Sequence, residues 1–284
     1  MNELVVRIIT GIIFVLVMVG GVVWNQYSFI ALFAIIVGVC IREYHHIVDI
    51  RISGLRSWKR ASKYVNVFFG LSILGLFFAI AKQVISVEFL LIISLFPMSW
   101  LMIEMYGKSD NPYINVVYNG SALMFIAIPM STACFLAFSN GNYQPQFLLG
   151  ILFFAWANDS LAYASGRLFG KTKLSPRYSP KKTVEGTIGG AIGAIGFGYL
   201  IYLYIPLLLP NASPVALHHW MILAAITSIL SNYGDLAESM LKRNLNVKDS
   251  GNLLPGHGGF LDRFDGLLFT VPACATYVKL FNLM

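Results

Sequence analysis

The chain has 284 residues, 57% of them hydrophobic and only 12% charged, with a net charge of +7 and a mean hydropathy of +0.70. Soluble domains carry roughly twice that charged fraction, which excludes a soluble globular protein, and the near-continuous, non-alternating apolar runs argue against a β-barrel. The basic balance invites a nucleic-acid reading, but the placement of the charges points to a membrane instead.

Nine apolar spans are expected in chain order, at about 6–24, 28–41, 64–81, 84–105, 114–138, 146–165, 187–209, 215–234 and 266–283. The fold class is therefore all-α, a polytopic integral membrane protein. No small-residue cleavage site follows the first run, so it reads as a retained signal-anchor. Nine spans put the termini on opposite sides. With the N-terminus cytoplasmic and the C-terminus outside, 18 of the 20 basic residues face inward and only Lys82 and Lys279 face outward. Orientation thus explains the basicity first, and attraction to anionic lipid head groups is a second role. The chain reads as a single membrane domain. Residues 1–140 serve as scaffold helices offering a dimer or lipid surface, and 146–284 carry the catalytic helices and loops.

The first five spans hold little chemistry. Glu88 and Glu104 lie near helix ends and are expected to snorkel to water. The 42–63 stretch, with Tyr44, His45, His46 and Trp58 among basic residues, reads as an amphipathic interfacial loop. Cys40, Cys134 and Cys274 lie far apart in apolar segments without zinc spacing, and read as small core residues.

From residue 150 the acids become informative. Asp159 sits inside the sixth span beside Asn158 and one turn before Tyr163, where an ionisable group faces a polar cavity or a helix-helix partner. Gly170-Lys171-Thr172 mimics a phosphate-binding loop, but only three residues separate Gly166 from Gly170 where four are needed. Better phosphate chemistry lies in Ser179-Pro180-Lys181-Lys182-Thr183-x-Glu185-Gly186, read as a Pro180 turn with two lysines and a hydroxyl before a helix N-terminus. The glycines at 186, 189, 190, 193, 196 and 198 read as close helix packing.

Beyond the eighth span, Asp235, Glu238/Ser239 and Lys242 recur at helical spacing and share one face, with Glu238–Lys242 as a simple pair. Arg243, Lys248 and Arg263 add cations, and Asp249 a further acid. Pro255-Gly256-His257-Gly258-Gly259 allows a tight turn whose N–H groups converge on an anion, with His257 hydrogen-bonding or facing phosphate. Asp262 and Asp265 follow three apart, expected on one helix face and able to share a cation. Oxygen ligands without a Cys or His cluster favour Mg2+ over zinc. These are the parts of a phosphoryl- or nucleotidyl-transfer site.

The order Ser239-x-x-Lys242-Arg243-x4-Lys248-Asp249-x5-Pro255-Gly256-His257-Gly258-Gly259-x-x-Asp262-Arg263-x-Asp265 resembles the signature of the phosphatidate cytidylyltransferases, or CDP-diacylglycerol synthases. Asp159-x-x-Ala162-Tyr163-x-x-Gly166 with the 179–186 block is similar to a second block of that family, so the resemblance rests on residues 156–265. It implies a nucleotidyltransferase that converts CTP and phosphatidate to CDP-diacylglycerol and pyrophosphate in phospholipid synthesis. It further implies cation dependence, with Asp235 and Asp262 as metal ligands, and homodimers. A second cation such as K+ is left open. The short chain resembles bacterial members, which implies a multi-pass protein of the inner (plasma) membrane, its site on the cytoplasmic face. CTP, phosphatidate and membrane lipids are the expected partners, and nucleic acid is not.

Two other readings compete. A CTP-dependent polyprenol or phytol kinase would use similar parts, but its alcohol nucleophile needs a base, for which His257 or Asp249 would serve. A secondary transporter would place Asp159 and the glycine-rich helix at mid-membrane, but transporters carry internal repeats and none is found here. The Asp-Gly-x-x-Ala-Arg pattern of CDP-alcohol phosphotransferases is absent.

Overall fold

A computed structural model describes residues 3–51, 59–106, 111–210, 212–256 and 258–283. Helices dominate, and the chain forms two compact units. One unit comprises Met1–Cys134 with Asn244–Arg263, and the other Phe135–Arg243 with Phe264–Met284. The stretch 244–263, which adjoins the C-terminal helices in sequence, therefore packs with the N-terminal ones.

The first unit opens with α1 (Glu3–Val23), which exposes Ile8, Ile9, Ile12, Ile13, Leu16 and Val17. An apolar helix open all along one side is at home against lipid. Asn25 then starts α2 (Gln26–Arg51), its Oδ1 accepting from the amides of Tyr27 (2.8 Å) and Ser28 (2.9 Å). This helix runs ten residues past the expected end of the second span, so Tyr44 and His45 are not on an interfacial loop. Both are buried, Tyr44 hydroxyl to Ser121 hydroxyl at 2.6 Å and His45 Nε2 to Asn66 Nδ2 at 2.9 Å. His46 is exposed, and Trp58 lies outside the described residues.

After α3 (Lys59–Ala81), a 3₁₀ run at Val87–Ser94 leads into α4 (Leu95–Tyr106). Helix α5 (Pro112–Ala122) begins on a proline, whose missing N–H would have no helical partner at that position. It widens into a π turn at Leu123–Ala127 before α6 (Ile128–Ser131), where Pro129 cannot donate backward. Glu88 is exposed, as expected. Glu104 corrects the snorkelling expectation: it is buried and accepts from Asn115 Nδ2 at 3.0 Å. A second polar link joins Trp100 Nε1 to Asn66 Oδ1 at 3.1 Å. Such bonds fasten helices where lipid gives no hydrophobic drive.

Short α7 (Cys134–Ala137) precedes a small hairpin, β1 (Phe138–Ser139) with β2 (Asn142–Tyr143), in the second unit. Helix α8 (Gln146–Phe169) then leads to a second hairpin, β3 (Lys173–Ser175) with β4 (Ser179–Thr183), and to α9 (Val184–Leu208). The glycines of α9 do pack it closely. A Cβ on Gly190 would stand 2.8 Å from Ala162 Cβ, and one on Gly186 3.0 Å from Gly166 Cα. Gly196 is the exception, with open space where a Cβ would be. Helices α10 (Leu217–Asn244) and α11 (Asp265–Leu280) complete this unit up to Arg243 and from Phe264. All three cysteines are buried free thiols.

Among the described residues, seven helical stretches are long and apolar enough to cross a membrane, from Val5–Val23 to Val184–Leu208. They correspond to the first seven expected spans, and the last two fall on α10 and α11.

Candidate active site

In the second unit the chemistry gathers where α8, α9, α10 and α11 carry their polar ends. Thr183 caps α9, its Oγ1 accepting from Gly186 N at 3.2 Å. Glu185, in the first turn, accepts from the amides of Lys171 (3.0 Å) and Thr172 (3.1 Å). The two residues thus tie the β3–β4 hairpin to the start of α9. Pro180 does not make the turn: it lies within β4, and the chain reverses at 176–178, where Pro176 sits. Thr183→Ala should lower the thermal midpoint by removing about 1 kcal/mol of capping, as measured in detergent by tryptophan fluorescence. An unchanged midpoint would mean the hairpin is held without it.

Strand β4 exposes Lys181 and turns Lys182 inward. The Lys182 ammonium pairs with Asp235 Oδ2 at 2.5 Å and reaches Asn232 Oδ1 at 3.4 Å. Ser239 Oγ donates to Asp235 Oδ1 at 3.2 Å, and Lys242 pairs with buried Glu238 at 3.1 Å. The shared helix face of Asp235, Glu238, Ser239 and Lys242 is therefore observed. Gly234 lets α11 approach: a Cβ there would collide with the Asp265 carbonyl and stand 2.9 Å from Gly266 Cα. Asp265, just ahead of the apolar run from Gly266, is half-buried. Burial and the Asp235 carboxylate push its carboxyl up to about 7, against a hydrogen bond with Glu238, and Asp159 adds to the rise. Asp159 itself is exposed on α8, 3.4 Å from Asn158 Nδ2, and Asn158 Oδ1 accepts from Ser228 Oγ. Arg243 is exposed at the end of α10, and Ser179 is partly exposed in β4.

In the first unit, residues 248–256 and 258–263 form a tight loop. Gly256 and Gly258 adopt φ of +73° and +83°, the left-handed region that glycine alone enters freely. Gly259 N donates to Asp262 Oδ2 at 2.8 Å, and Ser250 N to the same oxygen at 3.0 Å. Phe260 N and Leu261 N donate to Glu43 of α2, at 2.9 and 2.8 Å. Of the 255–259 amides expected to face an external anion, that of Gly259 is directed at a carboxylate of the protein itself, Asp262. Lys248, Asp249 and Arg263 are exposed, and His257 lies outside the described residues. Asp262 and Asp265 do not share a helix. Asp262 sits in the 3₁₀ turn Leu261–Arg263 and Asp265 opens α11, because the chain passes from one unit to the other between them.

Glu43 escaped the sequence reading, being a single acid among hydrophobic and basic residues. For the Asp235–Asp265 approach a signal was present: each carboxylate adjoins a glycine, Gly234 before one and Gly266 after the other.

The second-unit cluster suits Mg2+. Its donors are oxygens, Asp235 already seats a cation in the Lys182 ammonium, and Asp265 lies beside it under charge repulsion. Among the described residues no three His, Cys, Asp or Glu side chains are grouped so as to hold a metal ion by themselves. Mg2+ does not require one, since it is commonly held by one or two carboxylates plus substrate phosphates.

Fold and sites define a polytopic helical membrane protein whose lysines and carboxylates cluster at helix ends and in one glycine-rich loop. The chain belongs to the cytidylyltransferase family, which it matches over residues 5–281. It is similar to the phosphatidate cytidylyltransferase of Thermotoga maritima, 45% identical over 46% of this chain and 48% of that protein. Its similarity to the enzyme of that name from Bacillus subtilis is 40% over 52% of this chain and 55% of that protein. The matched stretch is therefore about half the length of these two relatives. A longer match, 33% identical over 73% of this chain and 80% of the relative, links it to the phosphatidate cytidylyltransferase of Staphylococcus haemolyticus.

Proposed function

We propose that this protein is a phosphatidate cytidylyltransferase, transferring CMP from CTP to phosphatidate to give CDP-diacylglycerol and pyrophosphate. The observation that carries the reading is the Lys182–Asp235 pair beside Asp265, a cation-carboxylate cluster in a chain whose other helices are long and apolar enough to cross a membrane. A soluble nucleotide and a lipid phosphate need such a site at a membrane surface. Lys181, Lys182, Lys242 and Arg243 bind the triphosphate or the lipid phosphate, with Ser179 beside them in β4. On the strength of the resemblance, Lys248, Asp249, His257, Gly258, Gly259 and Arg263 are assigned to phosphate binding as well. The residues that would hold Mg2+ are Asp235 and Asp265, with Asp262 on the strength of the resemblance. When bound, the cation would neutralise charge at the CTP phosphates.

A phosphatidate oxygen attacks the CTP α-phosphorus in line, the new P–O bond forms, and the bond to the β-phosphate breaks. No general base is required, because the attacking phosphate is already ionised at neutral pH. Positioning and electrostatics carry the rate. Lys182 holds Asp235 in place until substrate phosphate competes for its ammonium. Thr183 and Glu185 act through the hairpin that presents Lys181 and Lys182.

The proposed arrangement is nine spans with the N-terminus cytoplasmic and the C-terminus outside, in a bacterial plasma membrane, as a homodimer with its site on the cytoplasmic face. The charge asymmetry of the loops supports it. The test is an assay of purified protein in detergent micelles with phosphatidate, α-labelled CTP and Mg2+, with and without EDTA. Chelator-sensitive label in the lipid phase with equimolar pyrophosphate is the expected result. CDP release seen only when a lipid alcohol is supplied would replace the reading with a lipid kinase.

A further inference from the structure

We infer that Glu43 is a positioning residue that sets the shape of the 249–262 loop, and with it the orientation of Asp262. The inference rests on the proposed function only in taking that loop as part of the reacting site. The Glu43 carboxylate receives three donors from the loop. Oε1 accepts from Phe260 N at 2.9 Å, while Oε2 accepts from Leu261 N at 2.8 Å and Ser250 Oγ at 3.0 Å. Asp262 completes the knot: it accepts from Ser250 N and Gly259 N, and its own N–H donates to Ser250 Oγ at 3.3 Å. Ser250 therefore joins the two carboxylates, and a shift at Glu43 is passed to Asp262 through one buried hydroxyl.

The packing leaves no slack. A Cβ on Gly251 would stand 2.6 Å from Glu43 Oε1, and one on Gly259 2.9 Å from Glu43 Oε2. Gly251 and Gly259 thus admit a carboxylate side chain into the loop, a purpose separate from the left-handed turns at Gly256 and Gly258. Glu43 itself is fixed from behind. The next two residues of α2 are buried and bonded to other helices, Tyr44 to Ser121 and His45 to Asn66. A charged acceptor on a braced helix, bonded to backbone amides, is the arrangement that orients reacting groups without touching substrate. Charge-assisted bonds of this kind are about twice as strong as neutral ones.

Glu43→Gln is the discriminating variant. It keeps the size but can accept at only one of the two oxygen positions, so its amide NH2 faces a backbone N–H in either orientation. Turnover should fall at least about tenfold, the range seen when orienting partners of reactive groups are lost, while KM for CTP changes less than about threefold. Hydrogen exchange at the amides of Ser250, Phe260 and Leu261 should quicken in the same protein. Ser250→Ala, which removes a single partner, should shift both readouts in the same direction by less, and it carries the test if Glu43→Gln does not fold. Wild-type turnover with unchanged exchange overturns the inference. Lost turnover with unchanged exchange also overturns it, by making Glu43 a direct participant. If wild-type protein transfers no CMP, the functional reading fails, and the exchange readout alone decides whether Glu43 shapes the loop.

Discussion

Asp235→Asn should lower CMP transfer by at least about a hundredfold with little change in folding, the loss typical of one removed electrostatic contact at a reacting centre. The side chain keeps its shape, and an amide oxygen can still accept from Ser239, now 3.2 Å away. What disappears is the charge that holds the Lys182 ammonium at 2.5 Å and that would bind a cation. The variant should also need more Mg2+ for half-maximal turnover, measured by titrating the cation at saturating CTP. Asp262→Asn is a less clean probe, because Asp262 also accepts from Ser250 and Gly259 amides and its loss disturbs the loop. Near-normal turnover in Asp235→Asn, with an unchanged thermal midpoint, would remove Asp235 from the site and leave Asp265 without its reason for proximity.

What could be read in advance depended on how local the physics is. The membrane class follows from composition, and seven helical stretches fall where the apolar runs are. The Asp235–Ser239 and Glu238–Lys242 contacts are one turn apart on one helix, so spacing alone places them. The α9 glycines are legible for the same reason, although Gly196 meets nothing and the period cannot distinguish it. The failures are all long-range or conformational. Glu43 reaches partners 207 to 218 residues away, and no local pattern marks an acid as a loop anchor. Glu104 reads as water-facing in sequence because its buried partner Asn115 belongs to the next helix. Pro180 reads as a turn former, but a hairpin edge tolerates proline where no ladder N–H is needed, and Pro176 lies at the reversal instead. Asp262 and Asp265 have helical spacing, yet a 3₁₀ turn ends between them.

The glycines flanking the carboxylates carry the second large effect. Gly234→Ala should destabilise the protein by about 1–3 kcal/mol and lower turnover more than stability alone explains. The added methyl would meet the Asp265 carbonyl and Gly266 Cα, both backbone, so no side chain can swing aside. Relief requires α10 and the start of α11 to separate, and that separation moves Asp235 away from Asp265. Gly196→Ala provides the contrast within the same membrane domain. Its methyl enters open space, and alanine is the better helix former by roughly 0.5–1 kcal/mol, so its midpoint should hold or rise. The pair is compared by thermal midpoint in detergent and by turnover at a temperature where both variants are folded. Should Gly234→Ala match Gly196→Ala in both, close approach of the two helices is not what brings the carboxylates together. Should Gly234→Ala stay folded but lose turnover, the spacing of Asp235 and Asp265 is itself a requirement of the chemistry, separate from the helix packing that sets it.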